Sequence, residues 1–486
     1  MEKLIHAPRL NAASLPWFNT RSPLDLPDFQ GTLTILDFWT YCCINCIHIV
    51  PTLKRIEKKF PDSVVVVGVH SPKFSGEKVT ENLEQAIYRY EIEHPVVHDT
   101  DFTIWKNYAI RAWPTLVLVG PDGYILGQFS GEPDPDMLMN TIVTLLNDLK
   151  SKNALFGNAR DLFSVAPNPK KTTLSYPGKI SYSIDDKEFA IADSNHNQIV
   201  TADRAGYITR RIGSGGIGKG DGGFNEAKFF RPQGLCFQNG IIWIADTENH
   251  LIRKIDLKNE TVETCAGTGQ QGSVLKKGRA REVALSSPWD ISVADGWLYF
   301  ANAGSHQIGL FHIDEGTTEP FAGNGQEAMT DGPRFTGTFS QPSDLSVGEN
   351  KLFLADSETS AIRSIRLDEF GFIATYVGTG LFDFGDQDGK GKQALLQHPL
   401  GVHYSKGKVY IADSYNHKIK VLDLKTQNVS TLRASVNIIC DDESCTRLWE
   451  PAGLLELNNR LYVSDTNNHR ILKIDLESEK TEIFIA

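Results

Sequence analysis

Residues 38–51 read FWTYCCINCIHIVP and place three thiols, Cys42, Cys43 and Cys46, within five positions. Two cysteines at i and i+3 at the start of a helix make a redox-active pair. The first sits where unpaired N–H groups and the helix dipole favour its thiolate. The second lies one turn on, close enough to attack a mixed disulfide and release its partner. Cys43 and Cys46 have this spacing, and Cys42 falls before the helix. Metal sites also use Cys-x-x-Cys. Residues 1–150 hold no second such pair, and no paired histidines at zinc-finger spacing from the first.

Such a pair needs elements to position it. Leu33–Trp39 is an apolar run of strand type that leads straight into the cysteines. Cys46–Phe60 has helical spacing, with apolar residues at 46, 47, 49, 50, 53 and 56. Val64–Val69 is almost unbroken valine, as in a buried central strand. Glu77–Glu91 reads as a charged helix. Thr115–Val119 and Tyr124–Phe129 flank the turn GPDG, and Asp134–Leu149 reads as a closing helix. Residues 1–150 are therefore an α/β sandwich.

On these residues the first domain resembles thioredoxin. Asp37 lies six before Cys43, where that family keeps a buried strand aspartate, and Phe38 and Trp39 follow it as in the family's Asp-Phe-Trp. Pro51 lies five after Cys46, and AIRAWPT (109–115) resembles the cis-proline loop, with Pro114 in the cis position. The resemblance implies Cys43 as attacking thiolate, Cys46 as resolving thiol and Asp37 as acceptor of the Cys46 proton. Pro114 would remove a donor and expose backbone to an extended client segment. Trp39, Trp113 and Thr115 would wall the client side. The redox-active disulfide Cys43–Cys46 would serve without another cofactor. Ile44-Asn45 replaces the Gly-Pro of thioredoxin, so the direction of electron flow is not legible. Cys42 reads as filler, with alternative pairing as the other reading. Core or surface roles are expected for His48, His70 and His98.

Residues 71–108 exceed the matching part of thioredoxin and resemble the TlpA and peroxiredoxin-like branch. A peroxidatic cysteine needs Pro-x-x-x-Thr-x-x-Cys. Thr40 fits that pattern, but Leu36 stands at the proline position, so disulfide exchange is the preferred chemistry.

Residues 151–171 read as a linker. Beyond it a unit recurs six times: IADSNHNQIV (191–200), IADTENHLIR (244–253), FANAGSHQIG (300–309), LADSETSAIR (354–363), IADSYNHKIK (411–420) and VSDTNNHRIL (463–472). The polar anchors are Asp193, Asp246, Asn302, Asp356, Asp413 and Asp465. A proline stands 14 before the anchor in five units (Pro232, Pro288, Pro342, Pro399, Pro451), and Pro177 leads the first. Short strands repeating at this period mean a closed propeller. The Asp-x-x-x-His unit resembles the NHL repeat, with His250, His306, His417 and His469 matching, Asn197 and Ser360 departing, and His196 shifted by one. The aspartate is expected to cap its own turn, with the histidine packed on it. Glycine-rich stretches such as 213–232 and 378–399 read as exposed crossovers. The acidic run DFGDQDGKG, with Asp383, Asp386 and Asp388, reads as a blade linker rather than a calcium loop. Cys440 and Cys445 read as unpaired thiols.

The expected architecture is thus multidomain: an α/β thioredoxin-like domain over 1–150, the linker, and an all-β six-bladed NHL propeller over 172–486. That arrangement resembles the NHL repeat-containing protein 2 family. It implies a thiol–disulfide oxidoreductase acting on protein disulfide or dithiol clients, re-reduced by a partner, with the propeller as docking platform. The alternatives are a scaffold without activity and, further off, a peroxidase. A lyase would need a metal cluster in the channel, for which His403 is the histidine candidate.

Net charge is −11, and both parts of the chain are acidic, which gives nucleic-acid binding no support. No run approaches a membrane span, and the N-terminus lacks an apolar leader core. Seven cysteines without a disulfide pattern then imply the cytoplasm.

Overall fold

The computed structural model describes residues 5–157, 163–164, 171–436 and 447–486. Cys440 and Cys445 lie outside these. The chain forms two compact units, Met1–Lys170 and Lys171–Ala486.

The first unit is a six-stranded mixed sheet. Its strands are β1 (Trp17–Phe18), β2 (Leu33–Trp39), β3 (Val64–His70), β4 (Val96–His98), β5 (Thr115–Val119) and β6 (Ile125–Ser130), and its helices are α1 (Ile44–Lys59), α2 (Thr80–Arg89), α3 (Thr103–Asn107) and α4 (Pro135–Ser151). The order across the sheet is β1-β4-β3-β2-β5-β6, with β2, β3 and β4 parallel and the rest antiparallel. Along β2 the side chains alternate between two cores. Leu33 and Ile35 meet α1 and α4, while Leu36 and Phe38 meet α3 and the N-terminal segment around Leu10, Leu26 and Phe29. Coverage on both faces is why β2 and β3 carry so few polar residues.

Two expectations change. The helix expected from Glu77 begins at Thr80, because Gly76–Lys78 is a 3-10 turn and Val79 is extended at φ −79°, ψ 119°. Glu77 is thereby detached from the polar helix face and turned fully inward. Residues 151–157 are also no free linker. Past Ser151 the N–H groups of Phe156 and Gly157 both donate to Gly31 O at 3.0 Å, and Ser164 N donates to Asn19 O at 3.1 Å.

The second unit is a six-bladed propeller, one four-stranded antiparallel core per sequence repeat. The conserved spacing has a direct cause. Each blade's first two strands form a hairpin that sets the proline opposite the anchor, as in Pro288↔Asn302, Pro342↔Asp356 and Pro451↔Asp465. Two glycine-rich stretches do more than cross over: Gly222–Gly223 and Gly389–Lys390 add a short fifth strand to the outer edges of blades two and five.

The anchor does not cap its own turn. In all six blades it reaches back and accepts a backbone N–H from the segment entering the innermost strand, from Ser175, Phe230, Ser286, Ser340, Gln397 and Trp449, at 2.6–2.9 Å. Its second oxygen meets a buried cation in blades two, four and five: Arg253, Arg363 and Lys420, each seven residues on. Blade three keeps the first contact and lacks the second, while blades one and six take their cation from Arg211 and Arg470. Asn302 is neutral, and Gly309 stands where the cation should be. A Cβ there would lie 2.0 Å from the Phe300 ring, so an aromatic ring fills the space of the ion pair.

The repeat histidine joins neighbouring blades. His250, His306, His417 and His469 end a 3-10 turn with φ near +55°, a conformation that His and Asn tolerate better than most residues. Each Nδ1 accepts a backbone N–H from the next blade, from Ser287, Gln341, Glu450 and Tyr176 respectively, at 3.0–3.1 Å. Asn197 Oδ1 and Ser360 Oγ make the same contact, to Arg231 N and His398 N. The bond from Tyr176 N to His469 joins blades six and one, and among the described residues no strand is exchanged between them. On the axis, Lys179 Nζ of blade one donates to Asp344 at 3.1 Å, to Ala452 O at 3.0 Å and to Leu400 O, joining blades one, four, five and six.

Candidate redox site

Strand β2 delivers its last residues to the edge of the sheet, where Thr40–Cys42 turn and α1 starts. Cys43 is the N-cap residue, half-buried, with φ −82° and ψ 114°. Its carbonyl accepts from Cys46 N at 3.0 Å and Ile47 N at 3.2 Å, while its thiol makes no capping bond. Cys46, one turn on, is 1% exposed. Both cysteines are thiols here. Burial, then the hydrogen bond to Cys43, hold the Cys46 thiol well above the ordinary cysteine range. Pro51 falls inside α1, which continues to Lys59.

Asp37 is 3% exposed, and among the described residues its Oδ1 has no hydrogen-bond partner. Burial pushes its carboxyl up to about 7, against the pull of His94 and with a further push from Glu57. His94 is itself buried and lies 3.3 Å from Glu57, a half-buried residue of α1. Strand β3 passes close here because Gly68, the register partner of Asp37, has no side chain. A Cβ at 68 would stand 3.0 Å from Trp39 Nε1 and 3.5 Å from His94 Nε2.

The Trp113–Pro114 peptide is cis. Thr115 pairs with Phe38, which sets Pro114 beside the end of β2 from which the cysteines depart. Trp113 is partly exposed and packs against Trp105 at 4.6 Å and Phe102 at 6.1 Å between ring centroids.

Two residues expected to wall the client side are misplaced for it. Trp39 is 1% exposed and stands edge-on to His70, because β2 is covered on both faces to its last residue. Thr115 is fully buried, its hydroxyl donating to Ala112 O at 2.8 Å, so it shapes the loop and presents nothing to a client. His70 and His98 are core residues held neutral by burial. His48 is buried and meets Glu132 at 3.1 Å.

Glu77 was not legible as a site residue. Its carboxylate is fully buried beneath the turn Thr40–Cys42. Oε1 accepts from the Thr40 hydroxyl at 2.6 Å and from Cys42 N at 3.1 Å, and Oε2 accepts from Lys73 N at 2.7 Å and Phe74 N at 2.9 Å. The only sequence signal is a glutamate between glycine and lysine just ahead of a helix, which reads as solvated.

In the propeller, a cavity of about 150 Å³ on the axis is lined by Lys179, Cys236, Asp290, Asp344 and His403 among others. Burial first, and then Asp344, raise the Asp290 carboxyl well above the usual range. Among the described residues no three metal-ligating side chains converge. Asp386 and Asp388 engage Lys418 and Lys420, so this acidic run is bonded to its own blade.

Family models place a thioredoxin-like domain at residues 31–125 and NHL repeats at 229–255 and 396–422. The chain is 40% identical to NHL repeat-containing protein 2 of Gallus gallus, over 98% of this chain and 71% of that protein. It is 42% identical to Protein SUPPRESSOR OF QUENCHING 1, chloroplastic, of Arabidopsis thaliana, over 97% of this chain and 47% of that protein. The first domain is 24% identical to the thiol-disulfide oxidoreductase ResA of Bacillus thuringiensis, over 24% of this chain and 64% of that protein, and is related to such oxidoreductases.

Proposed function

The chain belongs to the NHL repeat-containing protein 2 family, and from that premise we propose that its first unit is a thiol–disulfide oxidoreductase working through Cys43 and Cys46, with the propeller as docking platform for protein clients. The observation that carries the reading is the pairing of an accessible Cys43 at a helix start with a buried Cys46, bonded to it, near the buried carboxyl of Asp37, which burial raises to about 7.

The reaction runs as two exchanges. Cys43, as thiolate, attacks one sulfur of a client disulfide, and the other client sulfur leaves as thiolate. Cys46 then gives its proton to Asp37 and attacks the Cys43 sulfur. The client departs with two thiols, and Cys43 and Cys46 remain as a disulfide two electrons poorer. A reducing partner resets the pair, and the reverse sequence oxidises a dithiol client. A carboxyl at about 7 suits this role, since it changes protonation near working pH. Trp113, partly exposed beside Pro114, is the contact we assign to the client chain. Thr40 does not favour peroxidase chemistry, because its hydroxyl is committed to Glu77. The cytoplasm, where thiols are kept reduced, is the compartment this reading assumes.

The test is trapping. Cys46→Ser should accumulate mixed disulfides through Cys43 that vanish on reduction, and Cys43→Ser should abolish them. Client binding that persists in Cys43→Ser, with no thiol exchange by the unaltered protein, would instead support a scaffold.

A further inference from the structure

The chain carries two adjacent thiols, and exchange chemistry requires only one to act. Cys42 and Cys43 share nearly the same stretch of backbone, yet Cys42 is 2% exposed and Cys43 half-buried. What separates them further is a directed chain of hydrogen bonds. Glu77 receives two donors on each oxygen, three of them backbone N–H groups that can only donate. Four donors converging on one buried carboxyl, three of which can only donate, suit its ionised form. The Thr40 hydroxyl, 2.6 Å from Oε1, spends its one hydrogen there. Its remaining contact, 3.7 Å to Cys42 Sγ, must then run from the thiol to the hydroxyl oxygen. The sequence is Cys42 S–H to Thr40 O–H to the Glu77 carboxylate.

We infer that Glu77, acting through Thr40, keeps Cys42 as a protonated donor and so confines disulfide exchange to Cys43 and Cys46. Glu77 is a positioning residue: it touches no client, and its negative charge lies one hydroxyl away from a thiol whose ionisation it disfavours. The same carboxylate ties the Thr40–Cys42 turn to residues 73 and 74, which join β3 to α2. The extra segment after β3 therefore has a function in the redox site. This inference rests on the exchange reading only for its consequence. The state of Cys42 is measurable by itself.

The test is pulsed alkylation of the reduced full chain with N-ethylmaleimide at pH 8, read by peptide mass spectrometry. In the unaltered protein, Cys42 should label at least about tenfold slower than Cys43. Removing the anion in Glu77→Gln should speed Cys42 labelling by about tenfold, the factor of one unit in thiol acidity. Oxidation of that variant by oxidised glutathione should yield disulfides containing Cys42 beside Cys43–Cys46. Thr40→Val, nearly isosteric and leaving the carboxylate three bonds, should give a smaller rise in the same direction, and it decides alone if Glu77→Gln does not fold. Folded variants whose Cys42 labels within twofold of the unaltered protein would overturn the inference, since burial alone would then silence the thiol. Failure of the unaltered pair to equilibrate with glutathione at all would sink the exchange reading and leave the alkylation result standing.

Discussion

Acidification should loosen the propeller at four named seams and spare a fifth. At each of His250, His306, His417 and His469, Nδ1 accepts a backbone N–H from the next blade. An imidazolium has no free nitrogen, so protonation turns each contact into donor against donor. For His417 burial already lowers the affinity for a proton, ahead of the opposing effect of Glu450. A histidine held neutral in the fold and free to charge when unfolded gives stability that is complete above the unfolded value, about 6.5. The loss begins as pH falls through that value and levels off below the depressed folded one. At pH 5.5, about one unit below the unfolded value, charging His417 then costs at most about 1.4 kcal/mol. Whole-chain denaturation would blur this, because Asp246 and Asp413, pushed up to about 6 and about 7 by burial, shift stability the opposite way. Amide exchange resolves it. Protection factors at Ser287, Gln341, Glu450 and Tyr176 should drop between pH 7.5 and 5.5, by up to about tenfold per histidine charged. Arg231, bonded at 2.9 Å to Asn197 in the same geometry, is the control built into the ring. Replacing the four histidines by asparagine, as blade one already does, should abolish the drop. If the four amides track Arg231 across this range, the histidines are not acting as neutral acceptors and the argument fails.

Asp37→Asn should slow release of mixed disulfides at pH 7, measured by single-turnover exchange, because Cys46 loses its proton acceptor. It should also stabilise the first unit at pH 8, where the native carboxyl, raised from 3.8 to about 7, is forced to ionise while buried. The gain is at most about 4 kcal/mol by linkage and is absent below pH 4, as urea titrations at the two pH values would show. His94→Gln should push the Asp37 carboxyl higher still, seen as an upward shift in the pH profile of the same release step, since His94 is the neighbour that lowers it. Asn302→Asp should destabilise the propeller by about 1–3 kcal/mol in thermal unfolding, because Gly309 offers the new carboxylate no cation.

The sequence made the placement of Cys43 and Cys46 at a helix start and the blade count legible because both depend on spacing alone. A helix start places Cys43 and Cys46 one turn apart whatever surrounds them, and an anchor recurring six times needs six hairpins. The strand limits of β2 agree with the apolar run to the residue, since burial on both faces leaves no polar residue to blur its ends. What escaped was every role set by a partner distant in sequence. Trp39 looked like a wall of the site, and only its burial against His70 shows otherwise. The repeat aspartate looked like a local cap, the commonest use of such a residue, yet its partner lies sixteen or more residues upstream.

Blade three shows what such distant roles imply for reading repeats. Asn302 alone looks like a conservative slip from aspartate, and Gly309 alone like a weak strand residue. Together they are one change, because the buried carboxylate keeps a cation in every other blade, seven residues on in blades two, four and five and from Arg211 or Arg470 in blades one and six. An unpartnered member of either sign would be a buried charge, costly on its own. The Phe300 ring covers position 309, where blades two and four carry an arginine. The same logic applies to Glu77 and the Thr40–Cys42 turn. A buried carboxylate persists there because four donors converge on it, and two of those donors belong to the turn that presents Cys43. Position 77 is therefore bonded both to residues 73 and 74 and to the distant turn at 40–42, and under the exchange reading a chain that kept Cys42 while losing Glu77 would carry two competing thiols.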